Sequence, residues 1–354
     1  MRVQRLLLLL LAPALLAACS LSPPGPPAAI ALGNVPAVPI PTVSATPPAH
    51  TVAACAPRRI ASVPLTIENA RPMLTARING HRARLLLDTG SNATLLTAAA
   101  AGRLGLVPDP SRTGVLQGLG GDAAGVFSRP VPLALGAAAV PRARLVLGVS
   151  PAAFGPPGPW RAGPPDGALG MDFLSRFSVD LDLAGGRLAL FSPVGCRGAV
   201  PAWCHPCLSV PLRPAGDTLL HVSAFLDGVR LQGVLDTGAE ISALAATAAR
   251  RIGLSATALR TDLAVRSLGT TGYSETTRLH RFASLSLGRG LSLSPHVLVL
   301  GGDLPGMQML VGLNALAGSR LWIAEGSRRI AMAETGRVLP GAIPARTAFA
   351  RLLP

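Results

Sequence analysis

Two aspartates carry the chemistry this chain could perform. Asp88 and Asp236 each open an identical triplet, Asp88-Thr89-Gly90 and Asp236-Thr237-Gly238. Paired carboxylates suit general acid–base work on a bound water. Brought close together they cannot both ionise cheaply, so they share a proton, and the two apparent pKa values belong to the pair. The ionised member takes a proton from the water while the protonated member polarises the group under attack. Such chemistry requires no metal, no cofactor and no covalent intermediate.

Each triplet lies inside a longer repeated stretch. Residues 79–106 and 227–254, laid over one another without a gap, agree at 13 of 28 positions. Each copy starts with a two-residue turn, Asn79-Gly80 or Asp227-Gly228, and runs through an apolar strand into Asp-Thr-Gly. A hydroxyl follows six residues after each aspartate, at Thr94 and Ser242, then a leucine at Leu96 and Leu244. Each copy closes on Arg-Leu/Ile-Gly-Leu, at 103–106 and 251–254. Turn, strand, carboxylate and helix repeated in one register mark an internal duplication.

The elements that must position these residues follow from the same pattern. Residues 75–78, the Asn79-Gly80 turn and residues 82–87 form a hairpin, Asn-Gly suiting the positive backbone angles of a type I′ turn. The Ala-rich run 95–104 reads as a short helix stopped at Gly105. A glycine turn at 117–121 joins two strands, and further strands are expected at 130–135 and 143–149. A Pro/Gly loop spans 151–165, the segment Ala168-Leu169-Gly170-Met171-Asp172-Phe173-Leu174 follows, and a hairpin turns near 184–186. The second half restarts at Val210-Pro211-Leu212, echoing Val63-Pro64-Leu65. Its glycine turn is 269–273, residues 310–316 answer 168–174, and a last hairpin turns near 325–326. Many short strands separated by turn signals make the chain mainly β.

At 354 residues the chain has room for two domains, and an apolar content of 49% is ample for their cores. The formal charge is +15, yet all 32 basic residues are arginines, scattered in runs of at most two. No basic groove interleaved with aromatics is visible, which argues against nucleic-acid binding. Residues 1–19 have the form of a secretory signal, with Arg2 and Arg5 ahead of an apolar core. The end, Leu16-Ala17-Ala18-Cys19, resembles a bacterial lipobox; that resemblance implies lipidation of Cys19, export to the cell envelope and, with Ser20 next, an outer-membrane anchor facing the periplasm. A plain cleaved signal with an incidental cysteine is the alternative. Residues 20–59 form a Pro/Ala-rich linker, read as a spacer or an unstructured leader. Residues 60–192 make the first lobe, 193–209 a cysteine-containing connector, 210–335 the second lobe and 336–354 a tail.

These residues together resemble the retropepsin-like aspartic proteases. The resemblance rests on the apolar strand leading into Asp-Thr-Gly, the hydroxyl six residues on, the glycine-rich flap, and the apolar-apolar-Gly-x-Asp/Asn-x-Leu segment. It covers both lobes. A retroviral protease carries one such set and dimerises; this chain carries two. The resemblance therefore implies a bilobal pepsin/retropepsin-like fold, two homologous β-barrel-like lobes forming an intramolecular pseudo-dimer, active as a monomer. It implies an aspartic endopeptidase with Asp88 and Asp236 catalytic and a protein or peptide substrate bound extended across the cleft. Thr89 and Thr237 would cross-bond the two loops, Gly90 and Gly238 would allow close approach, and the Gly170 and Gly312 segments would buttress the loops. Ser91 and Ala239 follow the triplets. A hydroxyl at Ser91 can hydrogen-bond Asp88 and favour its charged form, so Asp88 is expected to be the ionised member and Asp236 the proton holder. The flaps fall at 115–128 and 266–277, with glycines Gly118, Gly120, Gly121, Gly269 and Gly272, and Tyr273, the single tyrosine, in the second. The alternative from another class is a protease-like binding or scaffold module of the envelope; retention of both aspartates argues against it.

The cysteines offer a rival site. Trp203-Cys204-His205-Pro206-Cys207 resembles the thioredoxin-type Trp-Cys-x-Pro-Cys motif, in which the first thiolate attacks from a helix start. Here the sequence runs directly into strand-forming residues, and no βαβ pattern surrounds it. Cys196, Cys204, His205 and Cys207 are too compressed for familiar zinc spacing. The favoured reading is structural. Cys55, Cys196, Cys204 and Cys207 remain as disulfide candidates in an exported chain, and they allow three pairings.

Overall fold

The computed structural model describes residues 57–336, apart from 119–120, 155–159, 162, 193–199, 205, 270–273, 289–290, 294 and 325. All of these belong to the compact unit that starts at Val52. Everything structural below concerns the described residues; among them no helix is long and apolar enough to cross a membrane.

The protein is mainly β and two-lobed. Lobe 1 is a sheet in which nine strands follow one path: Pro108–Gly118, Gly121–Ser128, Val146–Val149, Leu95–Thr97, Gly167–Leu169, His81–Leu87, Arg71–Ile78, Val131–Leu135 and Ala138–Ala143. Thr66–Glu68 adds a tenth strand beside Arg71–Ile78. The lobe 2 sheet repeats the same nine places: Leu263–Leu268, Ser274–Arg281, His296–Val299, Ala243–Leu244, Met309–Val311, Val229–Leu235, His221–Leu226, Leu285–Leu287 and Leu291–Leu293. The duplication seen in 28 residues thus extends to the whole strand order of both lobes.

Both central hairpins turn as their residue types require. Asn79 and Gly80 have φ of 51° and 82°, and Asp227 and Gly228 have 47° and 79°. Positive φ at both central positions matches the right-handed twist of the flanking strands. The run expected as a helix over 95–104 divides instead. Leu95–Thr97 is a strand, parallel to Val146–Val149 and antiparallel to Gly167–Leu169, and only Ala98–Arg103 is helical. Burial decides this: Leu95 and Leu96 are enclosed between two strands. Thr97 then caps the helix by accepting a hydrogen bond from the Ala100 N–H at 3.1 Å. Ala138–Ala143 is a further strand that periodicity did not mark. The loop between Val149 and Gly167 is longer than its lobe 2 counterpart between Val299 and Met309, and it carries a short 3-10 turn, Pro151–Phe154.

A third sheet joins the lobes. Its six strands run in the order Arg59–Pro64, Arg187–Phe191, Ser178–Asp182, Ser319–Ile323, Arg329–Glu334 and Leu208–Pro211. Three come from each half, and the halves meet where Ser178–Asp182 pairs antiparallel with Ser319–Ile323. One continuous apolar core runs through both lobes and this platform, built from Leu, Val and Ala with few aromatics. At the seam the buried Asp180 takes two hydrogen bonds from Arg320, from Nε at 2.8 Å and Nη2 at 2.6 Å. The Arg320 guanidinium lies 4.2 Å from the centre of the Trp203 ring.

Removing one partner of a buried pair strands the other's charge, a loss of about 3–5 kcal/mol when both are fully enclosed. Arg320 retains some solvent and Arg187 Nη2 remains 3.8 Å from Asp180, so Arg320→Met should destabilise the protein by less, roughly 1–2 kcal/mol in urea unfolding. An unfolding midpoint equal to that of the wild type would show that the seam does not depend on this pair.

Candidate active site

Each aspartate stands at the end of a central strand, clamped by a parallel neighbour. His81–Leu87 runs parallel to Gly167–Leu169, and the Asp88 N–H donates to the Leu169 carbonyl at 3.0 Å. Val229–Leu235 runs parallel to Met309–Val311, and the Asp236 N–H donates to the Val311 carbonyl at 2.9 Å. The hydroxyls six residues on tie each loop to the segment beneath. Thr94 Oγ1 donates to Asp172 at 2.7 Å and accepts from the Gly170 N–H at 3.2 Å. Ser242 Oγ donates to Asn314 at 2.7 Å and accepts from the Gly312 N–H at 3.0 Å. A Cβ on Gly170 would stand 2.4 Å from the Ala93 carbonyl oxygen, and one on Gly312 2.8 Å from that of Ala239, so these glycines are required by the close packing of loop on buttress.

The loops are joined to each other by the threonines. Thr89 Oγ1 donates to the Leu235 carbonyl at 2.8 Å and accepts from the Thr237 N–H at 3.0 Å. Thr237 Oγ1 donates to the Leu87 carbonyl at 2.7 Å and accepts from the Thr89 N–H at 3.1 Å. Both side chains are buried. The glycines serve the opposite lobe: a methyl at Gly90 would lie 2.3 Å from Cγ of Asp236, and one at Gly238 2.6 Å from Cγ of Asp88. Only a bare Cα on each loop leaves room for the other loop's carboxylate.

This brings the Asp88 and Asp236 side chains within hydrogen-bond reach of each other, at 7% and 8% exposure. Burial pushes both carboxyls above the usual carboxylate range, and in Asp88 the charge of Asp236 adds to the rise. The pair is not symmetric. Asp236 Oδ1 accepts from two backbone N–H groups, Gly238 at 2.7 Å and Ala239 at 3.1 Å. Asp88 Oδ1 accepts from one, Gly90 at 3.0 Å. Donors to a carboxylate favour its charged form. The extra donor therefore favours the charged form at Asp236 over that at Asp88, while burial raises both. This reverses the sequence expectation, and the reason is Ser91. Its hydroxyl does not serve Asp88; it donates to the Ala93 carbonyl at 2.7 Å and accepts from the Ala93 N–H. At the matching place in lobe 2, Ala239 contributes through its backbone N–H instead.

Two neighbours were not legible as site residues. Arg71 lies close enough to both carboxylates to draw their pKa values down, against the larger effect of burial. Asn92, two residues past the lobe 1 triplet, accepts from the Thr218 N–H at 3.2 Å and its hydroxyl at 3.0 Å, a second link between the halves. Of the flap glycines, Gly118 and Gly121 face each other in register at the tip of the lobe 1 hairpin, and Gly269 follows strand Leu263–Leu268 of the lobe 2 hairpin. Gly120, Gly272 and Tyr273 lie outside the described residues, as do Cys19, Cys55 and Cys196. The 3-10 turn Pro151–Phe154 of lobe 1 lies beside Leu263–Leu268 of lobe 2.

Of the cysteine candidates, Cys204 and Cys207 are among the described residues. Cys204 and Cys207 are bonded to one another, so of the three pairings only the one that leaves Cys55 with Cys196 is compatible. Cys204 is buried against Trp322, Ala324 and Ala331.

A family model described as aspartyl protease matches the chain twice, over residues 74–173 and 222–315, together more than half of it. No curated protein shows significant similarity to the chain. Among solved structures, the crystal structure of aspartic proteinase from Irpex lacteus is similar at 14% identity, over 80% of this chain and 99% of that one, with a TM-score of 0.46.

Replacing a threonine of the cross-lobe lattice by valine leaves a buried N–H and a buried carbonyl without partners, each costing about 1–3 kcal/mol. Thr237→Val should therefore lower unfolding stability by roughly 2 kcal/mol or more, while Thr237→Ser, which keeps the hydroxyl, should lose far less. Equal stability of the two variants would contradict a hydrogen-bonding role for Thr237.

Proposed function

The chain belongs to the aspartyl protease family, and on that footing we propose that it is an endopeptidase hydrolysing peptide bonds with a water activated between Asp88 and Asp236. The observation that carries this reading is the buried carboxyl pair, one member richer in N–H donors than the other. Asp236 in its ionised form takes a proton from the water as the oxygen attacks the peptide carbonyl carbon. Asp88, holding the shared proton, donates it to the carbonyl oxygen. Collapse of the tetrahedral species returns a proton to the leaving nitrogen, and the carboxyl pair recovers its single shared proton. The threonine lattice fixes the separation of the two acids, and Gly90 and Gly238 leave the volume they occupy. The hairpins at 115–128 and 266–277 are assigned to cover an extended peptide, their glycines allowing them to open. The substrate is a protein or peptide, the enzyme a monomer whose two lobes play the parts of two subunits. Export and lipid anchoring through Cys19 complete the proposal, placing the activity at the cell envelope on a Pro/Ala-rich tether.

Cleavage of a mixed peptide library by wild type, Asp88→Asn and Asp236→Asn tests the reading. Both variants should lose about 10³-fold or more in kcat/KM. Loss in neither, or tight peptide binding without cleavage in the wild type, would overturn hydrolysis in favour of a binding module.

The pH–rate profile should be a bell. Activity falls on the acid side as the pair takes up a second proton and on the alkaline side as it loses the shared one, and burial shifts the pair's titration upward. Ser91→Ala should move neither limb, because that hydroxyl is occupied by Ala93. A displaced acid limb in Ser91→Ala would restore the serine to the dyad.

A further inference from the structure

The pseudo-two-fold that relates the lobes breaks down beside the dyad. In lobe 1, Met73 opposes Leu86 across the central hairpin, so Arg71 and Asp88 form the next pair on the same face. In lobe 2 the gapless repeat puts Leu219 at the position matching Arg71, just ahead of strand His221–Leu226, and that side chain packs against the main core. The guanidinium thus enters the site from the lobe 1 side, near enough to act on both carboxyls, and the matching lobe 2 position carries no charge. The lobe 2 face has a basic group one pair further along, His221, but its Nε2 is bonded to Asp217 at 2.9 Å.

Arg71 is not similarly committed. Its Nη1 donates to the Phe154 carbonyl at 2.7 Å, which anchors the side chain to the long lobe 1 loop. Its Nε–H is buried and has no hydrogen-bond partner. Among the described residues no carboxylate stands within ion-pair distance of it, although Glu68, its neighbour in register, is close in sequence and space. Glu68 is engaged by Arg84 Nη2 at 2.9 Å and by the Arg161 N–H at 3.1 Å. The apolar surroundings are equally one-sided: Met73, Leu86, Val146 and Phe154 form a cluster on this face, with Leu116 of the lobe 1 hairpin packed against it. A held, unpaired cation with a spare buried donor, at the rim of an apolar wall next to the reacting centre, is complementary to one kind of group.

We infer that Arg71 is a specificity-determining residue that reads a carboxylate of the substrate on the lobe 1 side of the dyad. This rests on the endopeptidase reading for its setting, though not for its test. The carboxylate is an Asp or Glu side chain, or a free peptide C-terminus; both offer the planar pair of oxygens that a guanidinium binds through charge-assisted hydrogen bonds. Leu219 provides nothing of the kind on the lobe 2 side, so an acidic group at one position relative to the scissile bond fixes the direction in which the peptide lies.

The test uses octapeptides in pairs differing only by Glu against Gln at one position, scanned through all positions, each with a free or an amidated C-terminus. Cleavage is measured with the wild type, and binding of fluorescein-labelled peptides with Asp236→Asn. The expected result is a preference of roughly tenfold or more for Glu over Gln at one position, or for the free over the amidated terminus, identifying the source of the carboxylate. Adding Arg71→Met should reduce that ratio to near one, and Arg71→Lys should leave a part of it. Because each ratio is taken within a single protein, a partly unfolded variant does not alter it. Absence of any preference in the wild type and in Asp236→Asn, or a preference that survives Arg71→Met, overturns the inference. If no peptide is cleaved but the binding ratio depends on Arg71, the inference stands and the endopeptidase reading falls.

Discussion

Two carboxyl groups held out of water and within hydrogen-bond reach of each other cannot both be charged, and left alone they would move apart or draw in solvent. The rest of this molecule is arranged to prevent either. Each acid sits at a strand end whose own N–H is taken by a parallel neighbour, so the backbone cannot retreat. Each threonine hydroxyl bonds two backbone groups of the opposite loop, so the loops cannot slide past one another. Each glycine leaves a gap filled by the other lobe's carboxylate. The strand clamp is internal to each lobe, but the threonine and glycine restraints both cross between lobes, which makes the dyad a property of the junction.

The same division of labour appears on a larger scale. Nine strands follow the same order in both lobes, and the platform beneath takes three strands from each half, meeting at a single antiparallel seam. A seam between two strands is a weak place to concentrate strain, and here it is reinforced by the Asp180–Arg320 pair under the Trp203 ring. The bonded cysteines lie in the same patch, packed on Trp322. A motif that resembles a redox site in sequence is, in its folded setting, a cover for the sheet that both lobes share.

What could be read from the sequence was what repeats. The two Asp-Thr-Gly loops, the hydroxyls at Thr94 and Ser242, and the segments around Gly170 and Gly312 are local patterns printed twice, and each copy supports the reading of the other. What escaped was whatever depends on a single copy or on distant partners. Leu95–Thr97 looked helical because its alanine-rich neighbours are, yet strands more than forty residues away enclose it. Ser91 seemed aimed at Asp88, but a hydroxyl two residues from its own acceptor folds back on Ala93, as short polar side chains do in turns. Arg71 gave no signal at all, because its nearness to Asp88 arises from hairpin register across seventeen residues of sequence.

Those single-copy features are the ones that make the halves unequal. In a symmetric dimer the two acids would be interchangeable, and neither the proton nor a bound chain would have a preferred side. Here the Ala239 N–H gives Asp236 a donor that Asp88 lacks, so the two acids are no longer equivalent. Arg71 is matched in the repeat by Leu219, and the long loop carrying Phe154 has a shorter counterpart. Fusing two copies into one chain preserves the symmetric frame that buries the dyad, while freeing each half to change on its own. The symmetric residues hold two acids together; the unequal ones make the surroundings of the two acids differ.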